Sequence, residues 1–127
     1  MKILVAEDDP VSRRLLEVSL QRWGHEPQLA ADGDTAWAAL QRPDRPLLAV
    51  LDFMMPVMNG LEVAAQCRLR FPGLKILMLT GSPVLKEINE AQYPCLRKPL
   101  ENLNELDLAI EQLLSSKEEK ATEGDAR

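Results

Sequence analysis

The sequence predicts an α/β fold: a single doubly wound sheet of five parallel strands, with five helices divided between its two faces. Three observations carry that prediction. Short apolar runs alternate strictly with longer amphipathic ones, five of each, the pattern of repeated strand–helix units. Leu47–Leu51 is apolar at every position, as in a strand covered on both faces. The 127 residues suit one domain, since domains commonly hold roughly 100–150 residues.

Taken in order, Ile3–Ala6 reads as a buried first strand. Pro10–Trp23 reads as a helix with Pro10 in its first turn, Asp8 or Asp9 as its cap, and Gly24 as its stop. Val11, Leu15, Leu16, Leu20 and Trp23 recur on it at helical spacing. Gln28–Ala31 is a weak second strand. Asp34–Gln41 is a short helix with Asp34 as cap. Leu47–Leu51 is the third strand, with Asp52 directly after it. Gly60–Arg70 is a helix with Leu61, Ala64, Ala65 and Leu69 available for one face, and Phe71-Pro72-Gly73 ends it. Lys75–Leu79 is the fourth strand. Val84–Gln92 has room for about two helical turns. Tyr93–Arg97 is a weak fifth strand, and Glu101–Leu114 is the fifth helix, with Leu103, Leu106, Ile110, Leu113 and Leu114 as its stripe. Residues 1–115 form the domain. Residues 116–127 carry no apolar stripe and are expected to be a disordered polar tail or a truncated linker.

Composition narrows the function. Fifteen Lys and Arg against 20 Asp and Glu leave a net charge of −5, which argues against a general nucleic-acid binder. With one histidine and two cysteines the chain lacks the usual four ligands of a structural zinc module. Cys67 and Cys95, widely spaced, fit reduced thiols in a cytoplasmic protein. The N-terminus reaches three acids too soon for a signal peptide, and no apolar run approaches the roughly 20 residues of a membrane span.

Parallel α/β sheets bind ligands at the carboxyl ends of their strands. Here those ends carry Glu7-Asp8-Asp9, Asp52, Thr80 and Lys98-Pro99. Carboxylates gathered in one cleft repel one another and stay ionised beside a cation. An all-oxygen donor set of this kind suits Mg²⁺. A Lys facing the acids can neutralise an anionic group, and a Thr hydroxyl can donate to it. The set suits a phosphoryl group bound to, or transferred onto, a carboxylate.

These residues also carry a family resemblance. Ile3-Leu4-Val5-Ala6-Glu7-Asp8-Asp9-Pro10, Leu51-Asp52-Phe53-Met54-Met55-Pro56-Val57-Met58-Asn59-Gly60, Leu79-Thr80-Gly81 and Lys98-Pro99 together resemble the receiver domain of bacterial two-component response regulators, over about residues 1–115. The resemblance implies a flavodoxin-like fold with strand order 2-1-3-4-5. It implies that Asp52 is the phosphoacceptor for a histidine kinase or histidine phosphotransfer protein. It implies that Glu7, Asp8, Asp52 and the backbone carbonyl of Met54 hold Mg²⁺, and that Thr80 and Lys98 bind the phosphoryl oxygens. Pro99 would follow a cis bond that aims Lys98. Asp9 matches a common acid of the family, though capping the first helix suits it better.

Such a domain is a signalling switch and not an enzyme beyond its own phosphorylation and dephosphorylation. It would act on a partner protein or on an output domain absent from this chain, and the family's homodimer face would be the fourth helix, fifth strand and fifth helix. The other reading is a pseudo-receiver that binds partners without phosphorylation. Three departures stand out. Cys95 occupies the position, three before the Lys, where receivers carry Tyr or Phe, and Tyr93 is expected on the opposite face. The interval from Thr80 to Lys98 is about one turn short, so the fourth helix should be short or irregular, and Gly81 stands in for the usual small residue after the Thr.

Overall fold

A computed structural model describes residues 1–81, 93–98 and 104–126, and of 116–126 the backbone alone. Its elements are β1 (Lys2–Ala6), α1 (Pro10–Arg22), β2 (Glu26–Ala30), α2 (Gly33–Leu40), β3 (Leu48–Asp52), α3 (Gly60–Arg70), β4 (Lys75–Thr80), β5 (Cys95–Arg97) and α4 (Asn104–Ala126), the last being the fifth helical segment of the sequence. The five strands form one parallel sheet in the order β2-β1-β3-β4-β5. The expected helix over Val84–Gln92, and with it part of the expected homodimer face, lies outside the described residues, as do Pro99 and the residues 101–103.

The apolar runs behave as parallel strands should. Every residue of β3 is buried, and alternation sends its side chains to two separate cores. Ala49 and Leu51 join Leu4, Ala6, Ile76 and Met78 beneath α2 and α3. Leu48 and Val50 join Ile3, Val5, Leu77 and Leu79 beneath Leu16 and Leu20 of α1 and Leu106 and Ile110 of α4. With its central strands covered on both faces, the sheet presents its strand ends for chemistry.

Several local expectations are corrected. In α1 the buried positions are Leu16, Ser19 and Leu20, whereas Val11 and Leu15 are 68% and 54% exposed. Both sets fit helical spacing, and only the sheet's position selects between them. In α3 the buried stripe is Gly60, Val63, Ala64 and Cys67, one step round from the expected face, which leaves Leu69 79% exposed. Helix α2 starts at Gly33 with Asp32, not Asp34, as its cap; the Asp32 carboxylate accepts from the Thr35 N–H at 2.7 Å. A glycine is needed at 33 because a Cβ there would run into the Met58 carbonyl oxygen.

At the edges, β2 begins earlier than expected, and its Pro27 is tolerated because β2 is an outer strand. Strand β5 is shorter than expected. Pro94 has no N–H to offer, and its carbonyl accepts from the Met78 N–H at 2.9 Å. Tyr93 and Cys95, two residues apart, pack against the same core, so the expected opposition between them is wrong. Finally, α4 continues as helical backbone to Ala126, where an irregular tail was expected from residue 116. Lys117, Glu118, Glu119, Lys120 and Ala121 are good helix formers and no proline interrupts them.

Candidate functional site

The carboxyl ends of β1 and β3 are neighbours in the sheet, so Glu7 and Asp52 meet by topology. Glu7 follows β1, its N–H donating to the Ala30 carbonyl at 3.0 Å, and is fully buried. Asp52 is the last residue of β3 and 3% exposed. Asp8, next along the loop, is exposed. Carboxylate oxygens of Glu7, Asp8 and Asp52 lie within 4.8 Å of one another.

Lys98 reaches this cluster from beyond the edge strand. Its N–H donates to the Thr80 carbonyl at 2.8 Å, which ties the end of β5 to β4. Its ammonium donates to Glu7 Oε1 at 2.7 Å and to Asp52 Oδ2 at 3.2 Å. Gly81 permits the approach, since a Cβ there would stand 3.2 Å from the Lys98 carbonyl oxygen. Thr80 ends β4 and is 2% exposed. The Met54 N–H donates to Asp52 Oδ1 at 3.4 Å, while the Met54 side chain is 61% exposed above the loop.

The electrostatics follow from burial. Desolvation, reinforced by the neighbouring Asp52, raises the Glu7 carboxyl above its ordinary pKa despite the Lys98 hydrogen bond. Burial pulls the Lys98 ammonium down, but the Glu7 hydrogen bond and the charges of both acids outweigh it and hold its pKa above the ordinary value. A buried Glu–Asp pair bridged by one half-buried Lys is short of positive charge. The donor set is oxygen only, which fits a hard divalent cation such as Mg²⁺ and not a soft metal.

Asp9 caps α1: its side chain accepts from the Ser12 N–H at 2.8 Å, and that bond lowers its pKa. Cys95, half-buried, lies opposite Met78 in the sheet, and its thiol contacts the Leu96 carbonyl at 3.6 Å. Two features of the site went unread in the sequence. Val57 has φ 72°, and the Met58 N–H donates to the Pro56 carbonyl at 2.8 Å across it, a tight γ-turn with a β-branched residue at its centre. Arg13 donates from Nη1 to the Glu7 carbonyl at 2.9 Å and to the Asp8 carbonyl at 3.4 Å. A cation in the first turn of a helix that follows an acidic run was the available signal.

Comparison with known proteins places this geometry. The family profile of the response regulator receiver domain matches residues 3–111. The probable transcriptional regulatory protein TcrX of Mycobacterium tuberculosis is 38% identical over 85 residues, covering 67% of this chain and 36% of TcrX. The response regulator MprA of Mycobacterium leprae is 42% identical over 87 residues, covering 68% of this chain and 38% of MprA. The match thus spans little more than a third of these relatives. Among solved structures, a CheY-like response regulator receiver domain protein of Methanospirillum hungatei superposes with a TM-score of 0.84 at 26% identity, covering 94% of this chain and 97% of the other. The response regulator TrrA of Thermotoga maritima, solved in complex with Mg²⁺ and BeF, gives 0.80 at 30% identity, covering 88% and 97%.

Proposed function

Because this chain belongs to the response regulator receiver domain family, we propose that it accepts a phosphoryl group onto Asp52 from the phosphohistidine of a histidine kinase or histidine phosphotransfer protein. An Asp52 carboxylate oxygen attacks phosphorus, the phosphorus–nitrogen bond breaks, and the electron pair leaves on the donor imidazole. Lys98 and the Thr80 hydroxyl take the phosphoryl oxygens, and Lys98 gives up its bond to Asp52 as it does so. Glu7, Asp8, Asp52 and the Met54 carbonyl would hold Mg²⁺. Once bound, the ion offsets the repulsion among these acids and the charge on the phosphoryl group.

One observation supports this reading above the others: a buried acid pair, with a third carboxylate within 4.8 Å, bridged by a single lysine from the far side of the sheet. A merely structural ion pair has no use for three acids. Residues 1–115 would be the receiver unit, working in the cytoplasm. Output would pass to a partner protein or an output domain, as the greater length of the curated relatives is consistent with. Cys95 in the aromatic position implies an output that does not use the usual aromatic relay.

The test is labelling by a small-molecule phosphodonor such as acetyl phosphate, read by intact mass. The native chain should gain one phosphoryl group only with Mg²⁺ present, and Asp52→Asn should gain none. Equal labelling of Asp52→Asn removes the assignment. No labelling of the native chain leaves the pseudo-receiver reading, in which the fold binds partners without phosphorylation.

A further inference from the structure

We propose that Arg13 is a positioning residue for the cation site: by holding the main chain of Glu7 and Asp8, it fixes the Asp8 carboxylate and strengthens divalent-cation binding. The inference rests on the reading of Glu7, Asp8 and Asp52 as the Mg²⁺ site. It begins from an inequality among the three acids. Glu7 and Asp52 are set by packing, being 0% and 3% exposed, but Asp8 is exposed. Among the described residues, no hydrogen bond holds its carboxylate.

The loop around Asp8 is anchored on both sides. Before it, the Glu7 N–H is in the sheet through Ala30. After it, Asp9 caps α1 through Ser12, and the Asp9 N–H donates to Glu7 Oε2 at 3.2 Å. Asp8 lies between these anchors, and the contact on its own carbonyl is Arg13 Nη1, which also takes the Glu7 carbonyl. Arg13 is an odd choice for its place. It is the fourth residue of α1, near the positive end of the helix dipole, in a helix with no acidic residue in its first turn. A residue that works against the dipole there, with its guanidinium on two loop carbonyls, is explained by the loop it holds.

The sign of the effect separates this from plain electrostatics. A guanidinium beside a cation site repels the cation, so deleting it should tighten binding if charge were its whole contribution. If it positions Asp8, deleting it should loosen binding. Outer-shell contacts of this kind typically alter metal affinity about tenfold or more. Titrating the full chain with Mg²⁺ calorimetrically, we expect Arg13→Ala to weaken Kd about tenfold. Arg13→Lys, which keeps a donor and the charge, should recover most of the loss. In metal-free protein, Arg13→Ala should speed amide exchange at Asp8 and Asp9 and leave the β3 amides unchanged. An unchanged or tighter Kd in Arg13→Ala, or unaltered Asp8 and Asp9 exchange, overturns the role of Arg13. Failure of the native chain to bind Mg²⁺ overturns the cation site itself, and this role with it.

Discussion

The site has two halves, and they are built differently. The half from β1 and β3 stands at the centre of the sheet: Glu7 follows, and Asp52 ends, a strand buried along nearly its whole length. The half from β4 and β5 ends at an outer strand of three residues, and Lys98 reaches inward from it. At the centre, packing on both faces holds the acids whatever occupies the surface. At the edge, one lysine spans the distance, and Cys95, three residues before it, is only half-buried. The difference teaches that the interior of the sheet fixes the acids, whereas the lysine that bridges them depends on a short outer strand.

The largest expected effect tests the centre directly. Leu51→Ala, next to Asp52 and fully buried, should cost about 3 kcal/mol in urea unfolding, whereas Leu96→Ala on the half-buried edge should cost about 1. Equal losses would break the comparison. Lys98→Ala joins the two halves. It leaves Glu7 and Asp52 without their shared cation and should cost about 2 kcal/mol, less than a fully buried pair because Lys98 is partly exposed. Mg²⁺ should restore more stability to this variant than to the native chain.

The cysteines extend the comparison to pH. Burial pushes the Cys67 thiol up to about 11 from an ordinary value of 9.0. Between those values the folded state keeps a proton that the unfolded state releases, so stability falls as pH rises through that window and is untouched below it. Near pH 10 the native chain should lose roughly 1 kcal/mol that Cys67→Ala does not lose. Under native conditions a thiol reagent should modify half-buried Cys95 well before Cys67.

The smallest expected effect concerns Val57, 78% exposed and at positive φ in the loop after β3. Val57→Gly should gain about 0.5 kcal/mol, the relief of left-handed strain less the added chain entropy. A loss instead would show that the valine side chain has a contact worth more than the strain.

Much of the centre was legible in the residues. Five apolar residues ending in Asp52 can hardly be anything but an interior strand, and the acids at Glu7 and Asp8 follow a run of the same kind. The strand order came with the resemblance. What stayed hidden depended on tertiary placement. Val11 and Leu15 fit the helical period as well as Leu16 and Leu20, and nothing local says which side meets the sheet. Asp32 and Asp34 are equally good caps on sequence, and the folded chain selects Asp32, whose carboxylate accepts from the Thr35 N–H. Tyr93 and Cys95 share a face by simple alternation, as residues two apart in a strand must. Arg13 was missed because a helical arginine looks like a solvated one.

Asp52, alone among the clustered acids, is proposed to take the phosphoryl group. The most direct measurement is to phosphorylate the chain with acetyl phosphate and Mg²⁺, reduce the acyl phosphate with borohydride, and sequence the peptides by mass spectrometry. The account predicts homoserine at position 52 and unmodified acids at Glu7, Asp8 and Asp9. Homoserine at Asp8 or Asp9, or hydroxynorvaline at Glu7, with Asp52 intact, would contradict it.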